Sequence, residues 1–404
     1  MELFSTELND NYFHMKDIDI ILDQFYELLE ESENFVKKRK RSNCFKYNIT
    51  KITKISDIPK STMNDSYYFP KEIQTYINDN SLYNVSFTCQ IKGRKININF
   101  IVFHELKHED LMHIRNKINM IYMWMYIIDH FSLQSCSKQL ELYVYLTPFE
   151  KKLPNNQLIT LSTEHVNTGY TTGCKENTEI VLYRKEEWFK VFIHETFHNF
   201  GLDFSDMNLS LTNRKLKEHF NVNVEYNLYE SYCETWARII NTMFYSYFSV
   251  ADKLEPKIKY FKTQFYLNMK IEAFHSLYQM LKILKFQDLN YKLITEKKEE
   301  NIQICNHLYG EKSSVFSYYI ITGILLNNFG NFLLWCKKNN NIILMFKKTP
   351  GNLDKYIELV GSCKKNVFIK KNIKQMEKAM KDKHAKLDDS LRMSYLDMNI
   401  IFMN

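Results

Sequence analysis

"KEEWFKVFIHETFHNFG", residues 185–201, reads as one helix over 185–200 that ends on a glycine, and its reading decides the rest of the chain. Glu186 and Glu187 suit the N-terminal end of the helix dipole, and Gly201 falls where a helix C-terminal glycine belongs. Residues four apart share a helix face, so His194 and His198 can offer ring nitrogens to one metal ion while Glu195 stands beside an open coordination position. With 12 His in 404 residues, chance produces His-Glu-x-x-His in roughly one such chain in forty, so the bare pattern needs its context.

A second copy, "FHELKHED" at 103–110, shows the same need. A metal-gripping helix is packed inside its domain, where unpaired charge costs several kcal/mol. The neighbours of His194 and His198 are Val191, Phe192, Ile193, Thr196, Phe197, Asn199 and Phe200, none of them charged. The stretch around His104 and His108 carries Lys107, Glu109 and Asp110 and falls where a strand gives way to a helix, so it is expected to be a solvated turn. For His194 and His198 the plainer alternative is a pair of core histidines satisfied by hydrogen bonds.

Catalytic zinc takes three protein ligands and leaves the fourth position to water, so a third ligand is expected downstream. A histidine three residues after the glycine would be position 204, which is Phe204; Asp203 and Asp206 stand nearby but out of register. "NLYESYCETWARII" (227–240) instead places Glu230 and Glu234 four apart on one helix face. Glu230 is the preferred ligand and Glu234 the preferred acceptor that orients a ligand histidine. The reversed roles, and a plain amphipathic helix, stay open at this point.

"HETFH" followed 32 residues later by "ESYCE" resembles the glutamate-ligand zincin metallopeptidases, the gluzincins. The run "ESYCETWAR" is similar to the glutamate helix of the anthrax lethal factor type, in which an upstream tyrosine polarises the substrate carbonyl; Tyr226 and Tyr229 are the local candidates. Residues 165–205 also resemble HExxH proteins of giant nucleocytoplasmic large DNA viruses. The resemblance implies zinc as cofactor, Glu195 as general base, and a peptide or protein substrate. It also implies an edge strand, here 164–173 with Asn167, Thr168 and Gly169, that pairs with extended substrate. A virion or assembly protein that keeps a silent zincin-like domain for interaction is the competing expectation, and an intact Glu195 weighs against it.

Composition bounds these readings. The chain is 45% hydrophobic and 25% charged with net charge +7, globular in type and without the basic bias of a dedicated nucleic-acid binder. "KKRKR", Lys37–Arg41, reads as a solvated helix end, with nuclear targeting or a polyanion contact as alternatives. Eight cysteines without a CxxC pair suggest reduced thiols, and the acidic N-terminus does not look like a signal peptide. Only 9 Gly and 6 Pro, with much Asn, Lys, Ile and Tyr, suggest an AT-rich coding genome; together these predict a cytoplasmic setting, in a host cell or a virion if that composition marks a viral source. Residues 118–131 and 314–336 are too short or too interrupted to span a membrane and are expected as core helices.

Periodicity predicts strands at 95–103, 139–148 and 178–183, an opening helix within 1–60, a helix from about 109 to 131, and a helical C-terminal half from about 225. The expected fold is α+β: a helical segment at 1–60, a zincin-like α/β part at 61–205, and a helical part at 206–375. A polar, loosely held tail is expected at 376–404.

Overall fold

In a computed structural model, which describes residues 12–41, 46–253, 255–380 and 388–401, the chain is a mixed α/β protein built on one six-stranded sheet. The strands are β1 (Tyr47–Lys51), β2 (Tyr83–Ile91), β3 (Arg94–Val102), β4 (Gln139–Thr147), β5 (Gly169–Thr171) and β6 (Asn177–Arg184), in the spatial order β1-β2-β3-β4-β6-β5. β3, β4 and β6 pair parallel, whereas β1 with β2, β2 with β3 and β5 with β6 pair antiparallel.

Parallel strands covered on both faces are apolar on both. Leu140, Leu142 and Val144 of β4, with Ile180 and Leu182 of β6, face the main core, while Tyr143, Tyr145, Val181 and Tyr183 face a smaller aromatic core with Phe69, Ile73 and Ile77. Helices α1 (Tyr12–Arg41), α2 (Lys71–Asn80), α3 (His108–Asp129), α4 (Thr163–Val166), α5 (Trp188–Asn199), α6 (Ser210–His219), α7 (Leu228–Ser249) and α8 (Lys257–Phe286) follow in chain order. α3 is the crossover that a parallel β3–β4 pair requires. α5 follows β6 and packs against α7, in which every residue from Ser231 to Phe244 is buried. A helix buried on all sides is a core helix, which disposes of the plain amphipathic reading of 227–240.

One hydrophobic core runs from Ile18 on α1 to Met398 and takes in residues from all four expected segments. The two apolar stretches lie in it, in α3 and in the helices after α8. Among the described residues no single helix is long and apolar enough to cross a membrane; Phe316–Leu326 and Phe329–Asn339, which pass that test only together, are bent by 94°.

Several expectations need correction. β1 and β2 form a hairpin ladder with β3 that the periodicity did not suggest. The proposed edge strand 164–173 is shorter: Thr163–Val166 is a helical turn, closed by Ser162 N–H donating to His165 Nδ1 at 3.1 Å, and the strand is Gly169–Thr171. Cys136 and Cys174 are disulfide-bonded, Cα atoms 5.0 Å apart, because the parallel register that pairs Gln139 with Asn177 brings their loops together. Cys89, Cys233, Cys305, Cys336 and Cys363 are free and buried, and Cys44 lies outside the described residues. The cysteine count is therefore no argument for a reducing compartment.

The far end of the expected tail is docked: Leu391, Met393, Ser394, Leu396 and Met398 are buried, and Lys152 bridges Ser390 in antiparallel fashion. The basic run closes α1, where Lys37 pairs with Glu33 at 2.9 Å and the Arg39 guanidinium lies over Phe35; the Lys40 and Arg41 side chains are outside the description.

Candidate metal centre

α5 and α7 bring three ligand-type atoms together. His194 Nε2 lies 3.1 Å from Glu230 Oε2, His198 Nε2 lies 3.2 Å from His194 Nε2, and His198 Nε2 lies 3.4 Å from Glu230 Oε2. Ligands about 2.0–2.1 Å from one ion at tetrahedral angles are about 3.3–3.4 Å from one another, so the triangle has the size a zinc ion requires. The donor set of two imidazoles and a carboxylate suits the same ion. A second group, His198, Asp203 and Cys233, shares a histidine with the first. Its His198 atom, Nδ1, is already 2.7 Å from Asp203 Oδ2, and Cys233 Sγ stands off at 3.8 Å.

Each histidine is held from behind. His198 Nδ1 donates to Asp203, which is 2% exposed. His194 Nδ1 is 3.1 Å from Glu234 Oε2, an ion-pair distance without hydrogen-bond alignment. Lys190, one turn earlier on α5, donates to both oxygens of Glu234 at 2.9 and 3.0 Å. Beyond it, Lys151 pairs with Glu187, whose carboxylate also accepts the backbone N–H groups of Met393 and Ser394. Glu186 and Glu187 stand just before the first residue of α5, at the end expected of them, and both have further partners. Glu187 has φ of 56° and turns its side chain inward to these partners, and Glu186 accepts from the Lys151 backbone.

The site favours positive charge. Burial opposes protonation of His194 and His198, yet Glu230 and Glu234 on one, and Cys233, Glu230 and Asp203 on the other, outweigh it and raise both above the usual histidine range. Burial likewise opposes ionisation of Glu230, but His198 and His194 hold its carboxyl well below the usual range. A cation at the centre of the triangle meets the same demand.

Glu195 is 7% exposed, and burial raises its carboxyl above the usual range against the pull of His194 and His198. Among the described residues it makes no hydrogen bond or ion pair, as a base kept free would. It borders a cavity of about 20 Å³ shared with His194, Thr168, Gly169 and Tyr318, enough for one water.

Of the tyrosines expected here, Tyr226 is turned away. Its hydroxyl donates to Val222 O at 2.6 Å and its ring packs on Phe220 and Phe316, a core role. Tyr229 is at the site, its ring centroid 6.0 Å from that of His198. Sequence reasoning missed Tyr318, whose ring is 5.9 Å from His194 and which sits in a π-helical turn, Phe316–Ile321; such turns are frequent at functional sites. Asp203, set aside as out of register for a ligand, proves to be the acceptor behind His198, for which the HExxH-x₄-Asp spacing was the available signal.

Of Asn167, Thr168 and Gly169, only Gly169 belongs to β5. The carbonyls of Asn167 and Thr168 accept from Arg184 Nε and Tyr183 N–H, so they brace the strand from within. A Cβ on Gly169 would come within 2.7 Å of the Val181 carbonyl, so the close approach of β5 to β6 requires glycine. At the other end of α5, Gly201 has φ of 69°, and a Cβ there would press on the Cys136–Cys174 disulfide at 3.2–3.3 Å. The reversal it permits carries the chain back to place Asp203 under His198.

The first HExxH copy does not form a helix face. His104 precedes α3 and pairs with Asp110 at 3.0 Å, and His108 is the first residue of the helix. Comparison with protein-family models, with curated proteins and with solved structures finds no match for the chain.

Proposed function

We propose that the chain is a zinc-dependent metallopeptidase of the glutamate-zincin kind, with His194, His198 and Glu230 as ligands. The observation that carries the proposal is the triangle of ligand atoms beside a carboxylate, Glu195, that makes no hydrogen bond or ion pair among the described residues. Zinc, when bound, supplies a Lewis acid that acidifies water and polarises a carbonyl. Glu195 takes the proton from the attacking water and returns it to the leaving amine. Burial favours its neutral form, which eases that return. Tyr318 and Tyr229, whose hydroxyls make no hydrogen bond among the described residues, flank the histidines and stand ready to hold the developing oxyanion. Glu234 and Asp203 fix the rings. Extended substrate lies along β5, the edge strand beside α5, and pairs with it by strand addition. The likeness to HExxH proteins of large DNA viruses belongs to the same proposal.

The test combines metal content with hydrolysis of a peptide library. Wild type and His104→Ala should each hold one zinc per chain, His198→Ala and Glu230→Gln should hold none, and Glu195→Gln should keep zinc but lose cleavage. Zinc that follows His104, or full cleavage by Glu195→Gln, defeats the proposal.

A further inference from the structure

A cavity of about 390 Å³ opens beyond the carboxyl ends of the three parallel strands β3, β4 and β6. Its size is within the range of small-molecule sites, and the carboxyl end of a parallel sheet is where open α/β sheets take ligands. The strands contribute Phe100, Val102, Tyr145 and Leu146, which make an apolar floor. α3 lays a face of three-and-four spacing across it, with His113, Ile114, Lys117 and Met120 turned to the cavity. Met398 and Asn399 of the docked C-terminal segment close one side.

The mouth is cationic. Lys117 and Lys185 both line the cavity, and among the described residues neither ammonium makes a hydrogen bond or ion pair. The cavity's acid, Asp110, is already engaged by His104 at 3.0 Å and by the Lys107 backbone N–H at 2.8 Å. The next acid toward Lys117, Asp397, pairs with Arg392 at 3.2 Å. Burial, with Lys185 alongside and Asp397 opposing, brings Lys117 down to about 8. An unpaired, partly desolvated ammonium beside a second one is an arrangement that an anion relieves.

The geometry points to a binding site for a monocarboxylate with an apolar body, its carboxylate between Lys117 and Lys185 and its chain on Phe100, Met120 and Tyr145. His104 of the run "HELKH", which belongs to no metal-type cluster among the described residues, thereby has a use: it lines the cavity and pairs with Asp110. The site shares no residue with the metal centre and stands whether or not that centre binds zinc.

Isothermal titration of the purified chain with octanoate, octanol and acetate tests this. Octanoate should bind at least tenfold more tightly than octanol, which lacks the charge, and than acetate, which lacks the body. Lys117→Met should weaken octanoate at least tenfold and leave octanol unchanged. Lys185→Met, at an exposed side chain, carries the same test if the first variant fails to fold. Equal affinity for octanol and octanoate, no binding of octanoate, or octanoate binding untouched by the folded variants overturns the inference.

Discussion

Lys190 donates to both carboxylate oxygens of Glu234, one helical turn before His194, to which Glu234 is itself 3.1 Å distant. A buried lysine on α5 thus holds the acid that stands behind a candidate ligand histidine. Both side chains are nearly inaccessible to water, so their pairing matters through what its loss leaves behind.

Lys190→Met should leave Glu234 as an uncompensated buried charge and destabilise the fold by roughly 3–5 kcal/mol. The double variant Lys190→Met with Glu234→Leu should recover most of that loss. Urea unfolding of both reads the difference; a single variant within about 1 kcal/mol of wild type would show the pair to be idle.

Asp203→Ala should reduce zinc affinity about 10- to 100-fold, because the His198 ring loses the acceptor that fixes its orientation. Asp206→Ala, three positions on, should not, since Asp206 is 66% exposed and paired with Lys348 at the surface. Competition with a chelator of known affinity separates the two, and equal effects would remove Asp203 from the site.

Glu311, which makes no contact with the candidate ligands among the described residues, gives a pH signature of its own. Burial pushes its carboxyl up to about 7 from 4.5, against the bonds it accepts from Tyr309 Oη and Phe316 N–H. The native state then holds this proton more tightly than the unfolded state does, so stability falls as pH rises from about 4.5 to about 7 and is level beyond. Glu311→Gln keeps an oxygen acceptor and removes the titration. The variant should gain on wild type by up to about 3 kcal/mol between pH 5 and pH 8. Unfolding midpoints that track each other across that range would refute the assignment.

Reduction of Cys136–Cys174 should cost about 2–4 kcal/mol, as expected for opening a loop of 38 residues. Because Gly201 rests on the bridge, loss of zinc affinity should accompany the loss of stability. Peptide mapping without reductant, which should recover the two cysteines in one linked species, checks the bond itself.

Much of the site was legible because it obeys short periods. The spacing of His194 and His198, and of Glu230 and Glu234, is a property of one helix turn, and the apolar company of α5 announced its burial. What escaped the reading depends on distance along the chain. Asp203 reaches His198 only through the turn at Gly201, Tyr318 arrives from more than a hundred residues downstream, and Tyr226 looked suitable until its hydroxyl was seen bonded to Val222. The β2–β3 hairpin had its signals, the two-residue turn Lys92-Gly93 with φ angles of 45° and 89° and the apolar/polar alternation of Tyr83–Ile91, but the reading used only the strand at 95–103. The disulfide follows from strand register, which no cysteine count contains.

Glu187, at the head of α5, is capped by the backbone of Met393, 206 positions further on. Lys190 and Glu234 are separated by 44. Contacts of short separation close at lower entropic cost, so His194 with Glu230 and Lys151 with Glu187, each pair 36 positions apart, can gather before Met393 reaches Glu187. Arrival of residues 388–396 then seals the rear of the site. A fragment ending before 388 should therefore retain the candidate ligands and the pairs Lys190–Glu234 and Lys151–Glu187, and lose the backbone N–H groups of Met393 and Ser394 that cover Glu187.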